Sequence, residues 1–308
     1  MMRRREMLYC SGLAGACAYM GWLVHGRAAG VSDLPAPAAY QKKSDLIRHL
    51  FTTKKPPGPG DWLAQHREPG QTFAEYTQCN PNRPVEGRKA IYLAEMGDFD
   101  ASRRKVLETL REFMGLVFRL EIKALPPIDP AVIPASARRI NAGTGMAQWQ
   151  SKYILDNVLV PRRPTDAVAL LALTATDLWP GEGWNFVFGQ ASLAERVGVW
   201  STIRFGNPEK EPARFLRRVL QVAVHETGHM FGMRHCTAYE CGMNGSNSLE
   251  ESDRTPIAFC PECEAKLWWV CGQNPAGRAA KLAEFAAKHG FEAEAKLWKA
   301  EATALKGG

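Results

Sequence analysis

The run His225-Glu226-Thr227-Gly228-His229, followed by Gly232 and then His235, constrains this 308-residue chain more than any other feature. Two histidines four residues apart share one face of a helix, so both imidazoles can reach one ion. Glu226 follows the first of them and can lean over that ion without binding it. Gly232 stands three residues after His229, where a glycine accepts positive φ, ends the helix and turns the chain back. His235 then arrives as a third ligand. Three protein ligands leave one tetrahedral position for water, which marks a catalytic zinc site. Zinc lowers the pKa of its water toward about 7. Glu226 is then the general base: it takes that proton, hydroxide attacks a peptide carbonyl, and the proton passes to the departing amine. The competing readings are ordinary histidines on a buried helix and a metal site without turnover, that is, a zinc-stabilised binding or structural protein. A pure metal scaffold has no need of a carboxylate at Glu226.

Of the eight cysteines, Cys10 and Cys17 lie near the start, and Cys79 and Cys271 stand alone. Cys236, Cys241, Cys260 and Cys263 crowd into 28 residues as Cys-x4-Cys, a gap of 18, then Cys-x2-Cys. Two close pairs of thiolates suit a closed, structural tetrahedral zinc. Because Cys236 adjoins His235, that ion would pin the loop carrying the third histidine. Two disulfides are the alternative, although Cys260 and Cys263 are too close to favour an ordinary one. The sequence therefore predicts two zinc ions per chain, one catalytic and one structural.

Hydrophobic residues make up 45% of the chain, enough for a sizeable core. The net charge is +7, but its positive residues are dispersed apart from Arg3–Arg5, so a solvated basic surface is expected rather than a nucleic-acid site. Arg3, Arg4 and Arg5 precede the uncharged stretch 7–24, the pattern of an export signal, loosely of twin-arginine type, or of an uncleaved membrane anchor. Export or anchoring is favoured slightly over a cytoplasmic chain whose start lies at Met7 or Met20. Next come a Pro/Ala-rich spacer over 31–39, a helix near 45–51 and a Pro/Gly break at 54–60; the stretch 61–77 reads as irregular or weakly helical. The compact part alternates strand and helix: strands at 90–94, 116–122, 166–173, 184–190 and 197–205, helices at 102–114 and 142–159 with Asn141 as cap, and a long helix opened by Pro212. That alternation predicts an α/β sandwich on a mixed sheet. The tail 278–305 reads as a helical hairpin broken at Gly290.

The series His225-Glu226-x-x-His229-x-x-Gly232-x-x-His235-Cys236-x4-Cys241-x-Met243, with Cys260-x-x-Cys263 beyond it, resembles the archaemetzincins. Asn185 to Ala191, Gly198-Val199 and Asn244 to Glu251 also look like that family, and the likeness covers about 87–271. The segment Pro57-Gly58-Pro59-Gly60-Asp61-Trp62-Leu63 resembles the N-terminal extension of its animal-type members. The resemblance implies a metzincin-like zincin fold, an active-site helix ending at Gly232, and Met243 as the Met-turn, an apolar floor under the histidines. It also implies a peptide or protein substrate lying along an edge strand, here Phe186, Val187, Phe188, Gly189 and Gln190. Aminopeptidase action on short peptides and internal cleavage are both compatible with it. The expected organisation is a signal or anchor segment over 1–30, a flexible extension over 31–86, the peptidase domain over 87–275 and the helical hairpin over 276–308.

Overall fold

The computed structural model describes residues 36–307. The predicted leader, with Arg3–Arg5, lies outside them. No helix of the described residues is long and apolar enough to cross a membrane.

A five-stranded mixed sheet organises the molecule. Its order is β2 (Glu121–Ala124), β1 (Ala90–Met96), β5 (Ala167–Thr174), β8 (Val197–Ser201) and β7 (Gly189–Ser192). β7 alone runs antiparallel and forms one edge. β5 is central, and all eight of its residues are buried, as a continuous apolar run flanked by parallel neighbours requires. A second sheet, β3 (Arg138–Ile140), β4 (Ala147–Gln150) and β6 (Asp177–Trp179), stands beside it. α4 (Ala101–Phe118) and α6 (Pro212–Met230) pack on one face of the large sheet, joined there by α8 (Pro261–Cys271), α9 (Pro275–Lys288) and α10 (Glu292–Lys306). The other face is covered by the helical stretch α5 (Ser151–Tyr153), which continues as a π turn over Ile154–Leu159 and a 3-10 turn over Val160–Arg162.

Several predicted boundaries move for identifiable reasons. The helix expected at 102–114 runs on to Phe118, because Val117 and Phe118 extend its buried stripe from Leu110, Phe113 and Met114. It stops where Arg119 turns left-handed, so residues 116–118 are helix and the strand begins at Glu121. Asn141 does not cap a helix: its Oδ1 accepts from the amides of Gly143 and Thr144, closing the turn of the β3–β4 hairpin. The helix predicted from 142 starts at Ser151 instead. Of the strand expected over 184–190, Gly189 and Gln190 belong to β7, while Val187 makes a single bridge to Leu178. Phe186 and Phe188 are buried, edge to face, in the core. The tail forms the expected hairpin, with Gly290 at positive φ between α9 and α10.

The largest departure concerns the N-terminal segment. In place of a flexible extension, the described part holds α1 (Pro37–Ile47), α2 (Trp62–Gln65) and α3 (Phe73–Gln78, closed by a Thr72/Glu75 capping box). Tyr40, Ile47, Trp62, Phe73 and Tyr76 are all buried, and α1 and α3 pack on α8. Each such burial contributes about 1.5–3 kcal/mol, and helix-spaced aromatics separated by Pro/Gly breaks give only a weak pattern in the sequence.

Candidate metal centre and active site

The last two turns of α6 are buried on every side, from Ala223 to Met230. The helix ends in a Schellman motif: Met233 N–H bonds the Gly228 carbonyl at 3.0 Å and Gly232 N–H bonds that of His229 at 2.7 Å. Gly232 has φ 82°, which only glycine adopts readily. This turn brings the Met233 carbonyl back to His229, whose Nδ1 donates to it at 2.8 Å. His225 Nδ1 donates to the Gly242 carbonyl at 2.9 Å. His235 Nδ1 faces both carboxylate oxygens of Glu68, at 3.0 and 2.9 Å.

Because all three acceptors are oxygens, the δ-nitrogen is the donor in each contact, and in the neutral imidazole that tautomer leaves the lone pair on the ε-nitrogen. One ring nitrogen of each histidine lies within 4.8 Å of the other two. The ε-nitrogens of His225 and His229 face one another at 3.0 Å, and Nε2 of His235 is buried without a hydrogen-bond partner. Converging lone pairs repel unless a cation stands between them. Tetrahedral zinc with bonds of about 2.0–2.1 Å would set its nitrogens about 3.3 Å apart, so the donor set fits that ion. Burial, with His235 close by, pushes the His225 imidazole down to about 3. Burial and the neighbouring imidazoles push His229 further below the usual range. Both rings are therefore neutral, as a ligand must be.

Glu226 is fully buried. Room for its carboxylate comes from Gly189 on β7: a Cβ there would lie 2.7 Å from Glu226 Oε1. A cavity of about 30 Å³ beside it, bounded by Phe188, Gln221, His225 and Gly242, has room for one or two water molecules. A far larger hollow, about 950 Å³, is bounded by Lys54, Arg217, Glu240 and Glu294 and touches none of these groups. Met243 is buried under the helix at Gly228, where a Cβ would come within 2.5 Å of its sulfur.

The four clustered cysteines are free and buried. Their sulfurs lie within 4.8 Å of one another, with Cys236 and Cys260 at 3.6 Å. Four ligands about 2.3 Å from zinc would be spaced about 3.8 Å apart. The thiols sit near that spacing, and none is paired in a disulfide. Cys236 N–H bonds the Met243 carbonyl at 2.8 Å, which ties the cysteine loop to the floor of the histidine site.

The structure thus brings His225, His229, His235, Glu226 and Met243 together, with the cysteine cluster adjoining. Sequence reasoning missed Glu68, the carbonyls of Met233 and Gly242, and the clearance at Gly189. Gly228 carried a signal: glycine inside a helix costs about 1 kcal/mol relative to alanine, so its presence points to close packing. Glu68, a single acid in an irregular stretch, carried none.

The model of Peptidase family M54 matches residues 104–268. Archaemetzincin-2 of Homo sapiens is 32% identical over 270 residues, covering 76% of this chain and 73% of that protein. Archaemetzincin of Archaeoglobus fulgidus is 35% identical over 161 residues, covering 52% of this chain and 90% of its own. The crystal structure of archaemetzincin from Methanopyrus kandleri superposes with a TM-score of 0.49 at 26% identity, over 62% of this chain and 99% of that one. By sequence, this chain belongs to peptidase family M54, the archaemetzincins, and is a zinc metallopeptidase.

Proposed function

We propose that the chain hydrolyses peptide bonds at the histidine centre, with His225, His229 and His235 holding zinc and Glu226 as general base. The observation that carries this reading is the convergence of three lone-pair-bearing ε-nitrogens beside a buried carboxylate. Zinc bound there supplies Lewis acidity, making water acidic enough to lose a proton near neutrality and polarising the scissile carbonyl. Glu226 takes the proton from the attacking water and passes it to the departing amine. Its burial keeps bulk water away from that exchange, and Gly189 leaves the carboxylate room to face it. β7, as an edge strand, offers backbone groups to an extended peptide. In this reading Gly189 and Gln190 lie along the substrate, while Phe186, Val187 and Phe188 hold the strand from behind. The substrate is a peptide or protein, and short peptides entering by their amino ends are included in the proposal. Cys236, Cys241, Cys260 and Cys263 hold a second, structural zinc, giving two per chain.

Glu226→Gln tests the assignment. It should leave zinc content and fold unchanged and lower turnover of a peptide library at least about 100-fold, the usual cost of losing a general base. Wild-type turnover with unchanged metal would remove Glu226 from this role, and would favour a zinc-stabilised protein whose chemistry lies elsewhere.

A further inference from the structure

The three histidines are not held alike. His225 and His229 donate to main-chain carbonyls of the segment that follows α6. His235 donates to a side chain, the carboxylate of Glu68, which lies 167 positions away in the N-terminal extension. Around that contact the extension takes up one polar group after another on the turn that delivers His235. Asn82 Nδ2 donates to the Met230 carbonyl at 3.1 Å, and the Tyr76 hydroxyl to that of Phe231 at 2.6 Å. Gln71 Nε2 donates to the Gly232 carbonyl at 3.4 Å, and its Oε1 accepts from Arg234 N–H at 3.2 Å. The last carbonyls of a helix lack partners within it; here residues 71–82 satisfy three of them or their immediate followers. Gly70, at φ 72°, lets the backbone press against Thr237, since a Cβ there would meet its hydroxyl at 2.3 Å. Trp62 stands edge-on to His235, with ring centroids 5.2 Å apart. Glu251 fixes Trp62 by accepting its backbone N–H at 2.9 Å, and Gly245 leaves space for its indole.

From this geometry we infer that Glu68 is a positioning residue for the metal centre: it holds the His235 tautomer and aims its ε-nitrogen, making the N-terminal extension part of the active site. The inference rests on the zinc assignment of the preceding section. A carboxylate accepting the distal N–H of a metal-bound imidazole fixes the ring and raises its basicity. Removing such a partner typically costs about 10–100-fold in metal affinity. Glu68 is on the far side of the ring from Nε2, so it orients the ligand without competing for the ion.

The test compares full-length wild type, Glu68→Gln and Glu68→Ala by competition with a chromophoric chelator at neutral pH, and by the visible spectrum after cobalt(II) replaces the more labile zinc. Glu68→Ala should bind zinc at the histidine site about 10–100-fold more weakly and shift the cobalt bands, while the cysteine-site zinc and the far-ultraviolet circular dichroism stay unchanged. Glu68→Gln keeps the size and one acceptor oxygen, so it should fall between the two; it carries the test alone if the alanine variant does not fold. Wild-type affinity together with an unshifted cobalt spectrum in the variant tested would overturn the inference while leaving the zinc assignment standing. A wild-type protein binding no metal at the histidines would overturn both.

Discussion

At Gly189 the edge strand has no side chain, and the Glu226 carboxylate uses the space. A methyl group there would stand 2.7 Å from Oε1 and 3.1 Å from Cβ of Trp200, which is itself fully buried. The tryptophan cannot retreat, so the carboxylate or the strand must. Gly189→Ala should therefore lower kcat about 10- to 100-fold, since a displacement of about 1 Å at a catalytic group has that cost. Zinc content, read by atomic absorption on the same sample, should be unchanged. Unaltered kcat would mean that the carboxylate has slack the structure does not show. At this scale the sequence was most legible where chemistry repeats at helical spacing, as in His225, Glu226 and His229. It was silent where one residue serves another from a distance. Neither Gly189 nor Glu68 differs locally from any strand glycine or surface acid; only the fold supplies their partners.

Among the elements, those with strong internal periodicity were readable. β5 is a pure apolar run and α6 carries a single apolar stripe opened by Pro212. The start of β4 and the end of α4 were not, because Asn141 and the residues 116–118 have patterns that fit more than one local structure, and tertiary packing decides between them. The cysteine loop is the element whose behaviour separates the two proposed metal sites. Three histidines would leave one coordination position for water or a chelator, whereas four thiolates would complete the shell of their ion. A brief exposure to a small chelator should abolish activity with the circular dichroism intact, and added zinc should restore it. Cys260→Ser should instead lower the melting temperature and solubility, since structural zinc contributes folding free energy directly. Thiol titration of the unfolded, unreduced protein should find all four cluster cysteines reactive. One zinc per chain would leave only one of the two sites real.

Over the whole molecule, stability at neutral pH is set partly against itself. Glu301 of α10 is fully buried, and neither carboxylate oxygen has a hydrogen-bond partner. Nearby, Glu264 of α8 and Arg278 of α9 form a buried ion pair at 2.7 Å. Burial first, and the neighbouring Glu264 second, raise the Glu301 carboxyl well above the usual range, with Arg278 opposing them. A carboxyl raised by folding keeps its proton in the native state after the unfolded chain has lost it. Its contribution is therefore fully present below about pH 4.5 and is lost as the pH rises toward the folded value, by at most about 1.4 kcal/mol per unit. Glu301→Gln cannot lose a proton, so its stability relative to wild type should grow between pH 4.5 and 8 in denaturant melts. Parallel curves for the two proteins would show that Glu301 does not titrate in this range.

The extension grips parts of the chain that are made last. Arg48 pairs with Glu262 across 214 positions, and Lys266 bonds the Gln71 carbonyl across 195. At about 5–20 residues per second, a ribosome needs on the order of 10–40 s to cover that distance. For that interval Tyr40, Ile47, Phe73 and Tyr76 have emerged without the helix they pack against. The same delay governs His235, which meets Glu68 only after α6 and the loop beyond it have been translated. A nascent chain of this design cannot bring Glu68 to His235 until synthesis has passed His235, and its early half is the stretch that most needs shielding while it waits.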